Sequence, residues 1–170
     1  VSVLSALLSV ALISNTVSAA PSAEEFTTMP GLNGTKMESS SYSGMLDVTE
    51  SKALHYVFTE SLSASAASDP VVVWFNGGPG CSSMLGFFQE MGPWVMDDGE
   101  TWLKKNPFPW NKDLNMLFLE SPSGVGFTKA EKDVDWSHSD MSTSADAWVA
   151  LQAWYNKFPE FIGNDLFIAG

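Results

Sequence analysis

The run Val71-Val72-Val73-Trp74-Phe75 constrains this chain more than any other stretch. It is β-branched and aromatic with no polar alternation, the pattern of a strand covered on both faces. It stops abruptly at Asn76-Gly77-Gly78-Pro79-Gly80. Met116-Leu117-Phe118-Leu119, closed by Ser121-Pro122-Ser123-Gly124, predicts a second buried strand, and Leu166-Phe167-Ile168-Ala169 a third. Strands buried on both faces need helices to cover them. Thr143-Ser144-Ala145-Asp146 has capping-box spacing, and Ala145, Trp148, Leu151, Trp154 or Tyr155, and Phe158 then recur at helical period until Pro159. Residues 42–48 and 54–60 are rich in strand formers and predict a hairpin about Thr49-Glu50-Ser51-Lys52. Residues 61–69 read as a loop ended by Pro70, and residues 82–89 as a short helix stopped by Gly92-Pro93. The order predicts an α/β fold: a mostly parallel sheet flanked by helices, with an antiparallel hairpin at its N-terminal side.

Before the hairpin the chain changes character. No charged residue occurs between Val1 and Ala23, and the apolar stretch from Val3 to Ile13 leads into the small residues Val17-Ser18-Ala19. This is a signal-peptide pattern over residues 1–19, with cleavage expected between Ala19 and Ala20 and the basic leading region missing. As a membrane anchor the run is too short and too broken by Ser and Asn, so no stable anchor is expected after signal removal. Residues 20–41 are polar and turn-rich and read as an arm ahead of a domain covering residues 42–170. Asn33-Gly34-Thr35 is a glycosylation sequon, which agrees with export. Cys81 is the only cysteine, either paired outside this sequence or a free thiol. The expected location is the secretory pathway, ending in a lysosome or vacuole or outside the cell. With 20 acidic against 8 basic side chains, a net charge of −12, and no basic cluster, the chain offers no track for nucleic acid. No Cys/His or acidic cluster has metal-ligand spacing, so neither metal nor cofactor is implied. The chain opens without Met and closes on an apolar run, and both ends read as incomplete.

The glycine loop carries the chemistry. Open α/β sheets place ligand crevices at the carboxyl ends of their strands. Glycines there let backbone N–H groups face a cavity, where two of them can hold a developing oxyanion. A tight turn needing positive φ explains Gly-Gly equally well on those five residues alone.

The longer string is more specific. Trp74-Phe75-Asn76-Gly77-Gly78-Pro79-Gly80-Cys81-Ser82-Ser83-Met84-Leu85-Gly86, continuing through Glu90 to Gly92-Pro93, resembles the signature of serine carboxypeptidases of the carboxypeptidase Y type. Asn106-Pro107-Phe108-Pro109-Trp110-Asn111-Lys112, then residues 117–127, 154–161 and 164–170, are similar to successive blocks of that family. The resemblance implies an α/β-hydrolase fold and release of residues from peptide or protein C-termini through an acyl-enzyme. By the same resemblance Gly78 supplies an oxyanion-hole N–H. Asn76 and Gly77 bind the substrate's terminal carboxylate, Trp74 and Glu90 support that network, and Cys81 pairs with a cysteine outside the chain. A second family Glu would follow Gly170; two crowded carboxyls resist joint ionisation, so substrate affinity is expected to weaken as pH rises. Gly170 resembles the first glycine of the nucleophile elbow, and the nucleophile, Asp and His of the triad are absent from this chain.

Ser82 and Ser83 lack the frame of a nucleophile and read as helix-start residues. His55 and His138 read as ordinary structural or surface histidines. The expectation is a serine-type carboxypeptidase working at acid pH, inactive as this segment alone. The alternatives are an acyltransferase on the same scaffold, or a catalytically inactive homologue that acts as a binding or stabilising partner.

Overall fold

A computed structural model describes residues 20–170, and the predicted signal segment lies outside the described residues. Among the described residues eight strands form: β1 Ser41–Thr49, β2 Lys52–Thr59, β3 Val71–Trp74, β4 Trp94–Val95, β5 Lys104–Lys105, β6 Asn115–Leu119, β7 Lys129–Ala130 and β8 Leu166–Ala169. The main sheet runs β1-β2-β6-β3-β8, with β7 added on β2, while β4 and β5 pair separately. β3 lies parallel to both β6 and β8, whereas β1 with β2 and β2 with β6 are antiparallel. The sheet is therefore mixed, its parallel part being the three strands read as buried runs and its antiparallel part the predicted hairpin.

The lack of alternation in β3 and β6 has the expected cause. Val71, Val73, Leu117 and Leu119 face one core with Tyr56, Phe58, Trp154, Phe158 and Phe161. Val72, Met116 and Phe118 face the other, with Val57, Phe87 and Met91. Successive side chains point to opposite faces of a strand, so a strand with two apolar neighbours is apolar throughout.

The helix α1, Asp140–Lys157, begins one turn earlier than the sequence predicts. Ser139 is its N-cap: the Ser142 amide donates to Ser139 Oγ at 3.2 Å, and the Ser139 amide donates to Ser142 Oγ at 2.9 Å. Asp146, read as the end of a capping box, instead accepts from Lys52 Nζ on β2 at 2.5 Å. The buried stripe accordingly runs Asp146, Ala150, Leu151, Trp154, and Trp148 points outward at 61% exposure. β8 also departs from expectation. It pairs with β3 in register, yet Phe167 and Ile168 are 54% and 71% exposed, because this edge strand has β3 as its one neighbour among the described residues.

The arm does not simply trail. Glu25 bridges to Tyr42, and the Glu24 carboxylate accepts from Tyr56 Oη at 2.6 Å and from Lys157 Nζ at 2.5 Å. Gly44 of β1 leaves the room: a Cβ there would fall 2.3 Å from Glu24 Oε1. Burial, reinforced by the bond to Glu24, pushes the Tyr56 hydroxyl far above its usual value.

Candidate active site

The glycine loop leaves the sheet at the carboxyl end of β3, where the Phe75 amide makes a last bond to Ala169 O at 3.0 Å. Asn76 is fixed at both its side chain and its backbone. Its Oδ1 accepts from Trp74 Nε1 at 2.9 Å and from the Gly86 amide at 3.1 Å, while its own amide donates to Ser83 Oγ at 3.1 Å. With both lone pairs of the amide oxygen taken, the Nδ2 group is the end left to donate outward. Trp74 is held in turn by Trp110, ring centroids 5.8 Å apart at 79°.

Gly77 and Gly78 are exposed, and neither amide finds a protein acceptor among the described residues. Gly78 has φ +131° and Gly80 φ +104°, a region that side chains other than glycine's avoid. A Cβ on Gly78 would also sit 3.2 Å from Gly80 N and 3.3 Å from Cys81 N. The turn then closes through the Cys81 amide to Gly77 O at 3.3 Å. The result is an exposed edge carrying the Gly77 and Gly78 N–H donors beside the Asn76 amide, able to receive negative oxygen.

The chain next enters the short helical piece read over residues 82–89: Met84 and Leu85 are α-helical and Gly86–Glu90 form a single π-type turn. Glycine is required at its start, since a Cβ on Gly86 would lie 2.4 Å from Trp74 Nε1 and 3.1 Å from Asn76 Oδ1. Trp74, Asn76, Gly77 and Gly78 therefore form one connected group. Glu90 stands apart at the exposed end of the turn. Its carbonyl accepts from Asn106 Nδ2 at 3.0 Å, and no hydrogen bond joins its carboxyl to Asn76 or Trp74 among the described residues. Cys81 is an exposed free thiol, and Asn33 is exposed in a turn with φ +49°.

Beneath the loop lies a cluster that residue-by-residue reading missed. Glu120, directly after β6, is fully buried. Its Oε2 accepts from His55 Nδ1 and from the Phe127 amide, both at 2.9 Å, and its Oε1 accepts from Ser82 Oγ. Burial pushes this carboxyl's pKa up, but the bonds from His55, Ser82 and Phe127 outweigh it and hold the group below its ordinary range. Because the carboxylate can only accept, Nδ1 is the donor, and Nε2 on the far side of the ring bonds with Ser43 Oγ at 2.9 Å. Ser83 Oγ donates to Leu119 O at 2.7 Å. Both serines stand at the start of the helical piece, as read from the sequence, where Ser82 Oγ also accepts from the Met84 amide at 3.1 Å, and His55 is a buried structural histidine bonded to Glu120. A lone carboxylate following a buried strand was the available signal, since such a group needs a partner.

A cavity of about 830 Å³ opens beside Pro79 and Gly80, walled by Phe75, Val125, Trp136 and Trp148, with His138 at its edge.

A family profile described as "Serine carboxypeptidase" matches residues 30–170. Serine carboxypeptidase-like 21 of Arabidopsis thaliana is 42% identical over 156 residues, covering 89% of this chain and 31% of that protein. Serine carboxypeptidase-like 40 of the same plant is 47% identical over 135 residues, covering 76% and 26%. Serine carboxypeptidase ctsa-4.1 of Caenorhabditis elegans is 41% identical over 152 residues, covering 89% and 32%. The crystal structure of Kex1(delta)p, a prohormone-processing carboxypeptidase from Saccharomyces cerevisiae, superposes with a TM-score of 0.67 at 25% identity, over 82% of this chain and 33% of that one. The chain thus spans about a third of the length of these relatives. The profile match across the whole sheet and glycine loop, with these identities, makes the chain a member of the serine carboxypeptidase family, with the α/β-hydrolase fold.

Proposed function

We propose that the protein is a serine-type carboxypeptidase that releases C-terminal residues from peptides through an acyl-enzyme, and that the loop described above is its carboxylate clamp and half of its oxyanion hole. The observation that carries this reading is the run of two exposed, unbonded N–H groups, Gly77 and Gly78, directly after an Asn whose amide oxygen is pinned. In this role Asn76 Nδ2 and the Gly77 amide grip the terminal carboxylate of the substrate. The Gly78 amide meets the carbonyl oxygen of the scissile bond as a serine hydroxyl adds to its carbon and charge moves onto that oxygen. Collapse expels the C-terminal residue as its free amine, and water later releases the acyl group from the serine.

Gripping a carboxylate with neutral donors favours substrates that end in a free carboxyl. By the family resemblance Glu90 assists binding of the terminal carboxylate, and activity is expected at acid pH. Cys81 is read as one half of a disulfide, and the apolar leader with an exposed Asn33 supports passage through the secretory pathway to a lysosome, a vacuole or the cell exterior.

The test is to express the protein from its complete reading frame and follow release of C-terminal amino acids from a peptide and its C-terminally amidated twin, at acid and neutral pH, with a serine-directed covalent inhibitor as control. The expected result is inhibitor-sensitive release from the free acid, with Asn76→Ala raising KM at least about tenfold, as befits loss of a charge-assisted hydrogen bond. Equal hydrolysis of acid and amide, or no release at all, refutes the reading.

A further inference from the structure

The glycine loop is clasped to the end of β6 at two separate points, and the two clasps hold different halves of it. One clasp is neutral: the Asn76 amide donates to Ser83 Oγ at 3.1 Å, and Ser83 Oγ donates to Leu119 O at 2.7 Å. It secures the side of the loop that carries Asn76. The other is ionic: Ser82 Oγ donates to the buried Glu120 carboxylate, and Ser82 follows the Gly78-to-Cys81 turn by one residue.

The seat of Glu120 is built for a carboxylate. The chain after β6 folds back over it, and Gly126 at φ +56° brings its backbone so close that a Cβ would fall 1.9 Å from Glu120 Oε1. The Phe127 amide donates from the same loop. From the other side, the pairing of Tyr56 with Leu119 sets His55 against Glu120, where the Glu120 amide donates to His55 O at 2.9 Å and the imidazole reaches the carboxylate. Ser43 on β1 then holds the far side of the ring at 2.9 Å. A chain of contacts thus crosses β1, β2 and β6 and ends on the loop.

We propose that Glu120, oriented by His55, is a positioning residue that sets the oxyanion half of the glycine loop through Ser82, while Ser83 separately sets the carboxylate-binding half through Asn76. This rests on the carboxypeptidase reading above. Removing the Glu120 charge leaves Ser82 Oγ with a weaker acceptor and lets the Gly78 amide drift from the reacting oxygen. Asn76 stays where Trp74, Gly86 and Ser83 keep it. Small displacements of a donor from a reacting centre cost large factors in rate, so the turnover step suffers and substrate binding does not.

The experiment compares the protein from its complete reading frame with Glu120→Gln, Ser82→Ala, Ser82→Thr and Ser83→Ala. Glu120→Gln and Ser82→Ala are expected to lower kcat about tenfold with KM within about twofold, and Ser82→Thr, which keeps the hydroxyl, to restore kcat. Ser83→Ala is expected to do the reverse, raising KM more than it lowers kcat. Amide exchange in a peptide covering residues 77–85 of Glu120→Gln, where the Cys81 and Leu85 amides bond to backbone and the Met84 amide bonds to Ser82 Oγ, is expected to quicken while the rest of the sheet is unchanged. An unaltered kcat, an equal loss in Ser82→Thr, or unaltered exchange overturns the proposal. If the unmodified protein shows no peptidase activity, the functional reading falls instead, and the exchange comparison still decides the clasp, even should Ser82→Ala prove too unstable to assay.

Discussion

Replacing Gly86 by alanine adds one methyl group and, on the carboxypeptidase function proposed above, should weaken the hold on substrate. The new Cβ lies 2.4 Å from Trp74 Nε1, 2.9 Å from Trp74 Cδ1 and 3.1 Å from Asn76 Oδ1, so something must move. The indole is braced by Trp110. The turn itself cannot lift, because Phe87, the next residue, is 1% exposed and packs against Phe118 with ring centroids 5.2 Å apart. The softest element is the Asn76 side chain, which loses its bond from the Gly86 amide and rotates away. Overpacking of this kind costs about 1–3 kcal/mol of stability. Losing one charge-assisted hydrogen bond to the substrate carboxylate costs about 1.5–3 kcal/mol of binding, a rise in KM of about ten- to a hundredfold. The Gly78 amide lies outside the collision, so kcat should fall far less. The assay is steady-state hydrolysis of a free-acid peptide beside urea unfolding, with Gly163→Ala as control, since a Cβ there meets nothing within 4 Å. A KM for Gly86→Ala within twofold of the parent, or a loss confined to kcat, would refute the account of how Asn76 is held.

Trp154 is fully buried, between Phe58 at 5.0 Å and Phe158 at 5.2 Å, and its Nε1 has no hydrogen-bond partner among the described residues. Trp154→Ala should destabilise by about 3–5 kcal/mol, whereas Trp154→Phe, which also removes the unpaired N–H, should cost about 1–2 kcal/mol, both read by urea unfolding; equal losses would show that the indole N–H is satisfied. Burial, then repulsion from Glu160 and Glu25, raises the Glu60 carboxyl above its usual range against a smaller lowering by Tyr42. A carboxyl with a raised folded pKa destabilises the ionised protein, so Glu60→Gln should raise Tm at neutral pH, with the gain fading as pH falls through the raised folded value and gone below the carboxyl's ordinary pKa. A gain that persists unchanged at pH 3 would place the effect in packing rather than charge.

The strands of this fold were legible because each signal is local: an apolar run without alternation, cut by Gly or Pro, needs no knowledge of its neighbours. The start of α1 was not. Thr143-to-Asp146 and Ser139-to-Ser142 both offer the spacing of a reciprocal cap, and what separates them is Lys52, far away in sequence, which claims Asp146 for an ion pair. The same limit hid Glu120 and His55, which are 65 residues apart and meet only through the register of β2 with β6. Short pieces such as β4, β5 and β7 span two residues each and carry no period to detect. Trp74, Asn76 and Gly78 were named from a motif, but why Gly86 belongs with them is visible only when the turn is seen resting on the indole.

Glu24 is the fifth residue after the expected cleavage point between Ala19 and Ala20, and its carboxylate joins the arm to a tyrosine of the hairpin and to the last turn of α1. Processing that trimmed a handful of residues too many would strand a buried phenol and an ammonium together over the notch left by Gly44. Glu24 is thus a second ionic mooring of α1 to the hairpin, beside that of Lys52 with Asp146, and it would stay with the mature chain were a leader removed at the proposed point.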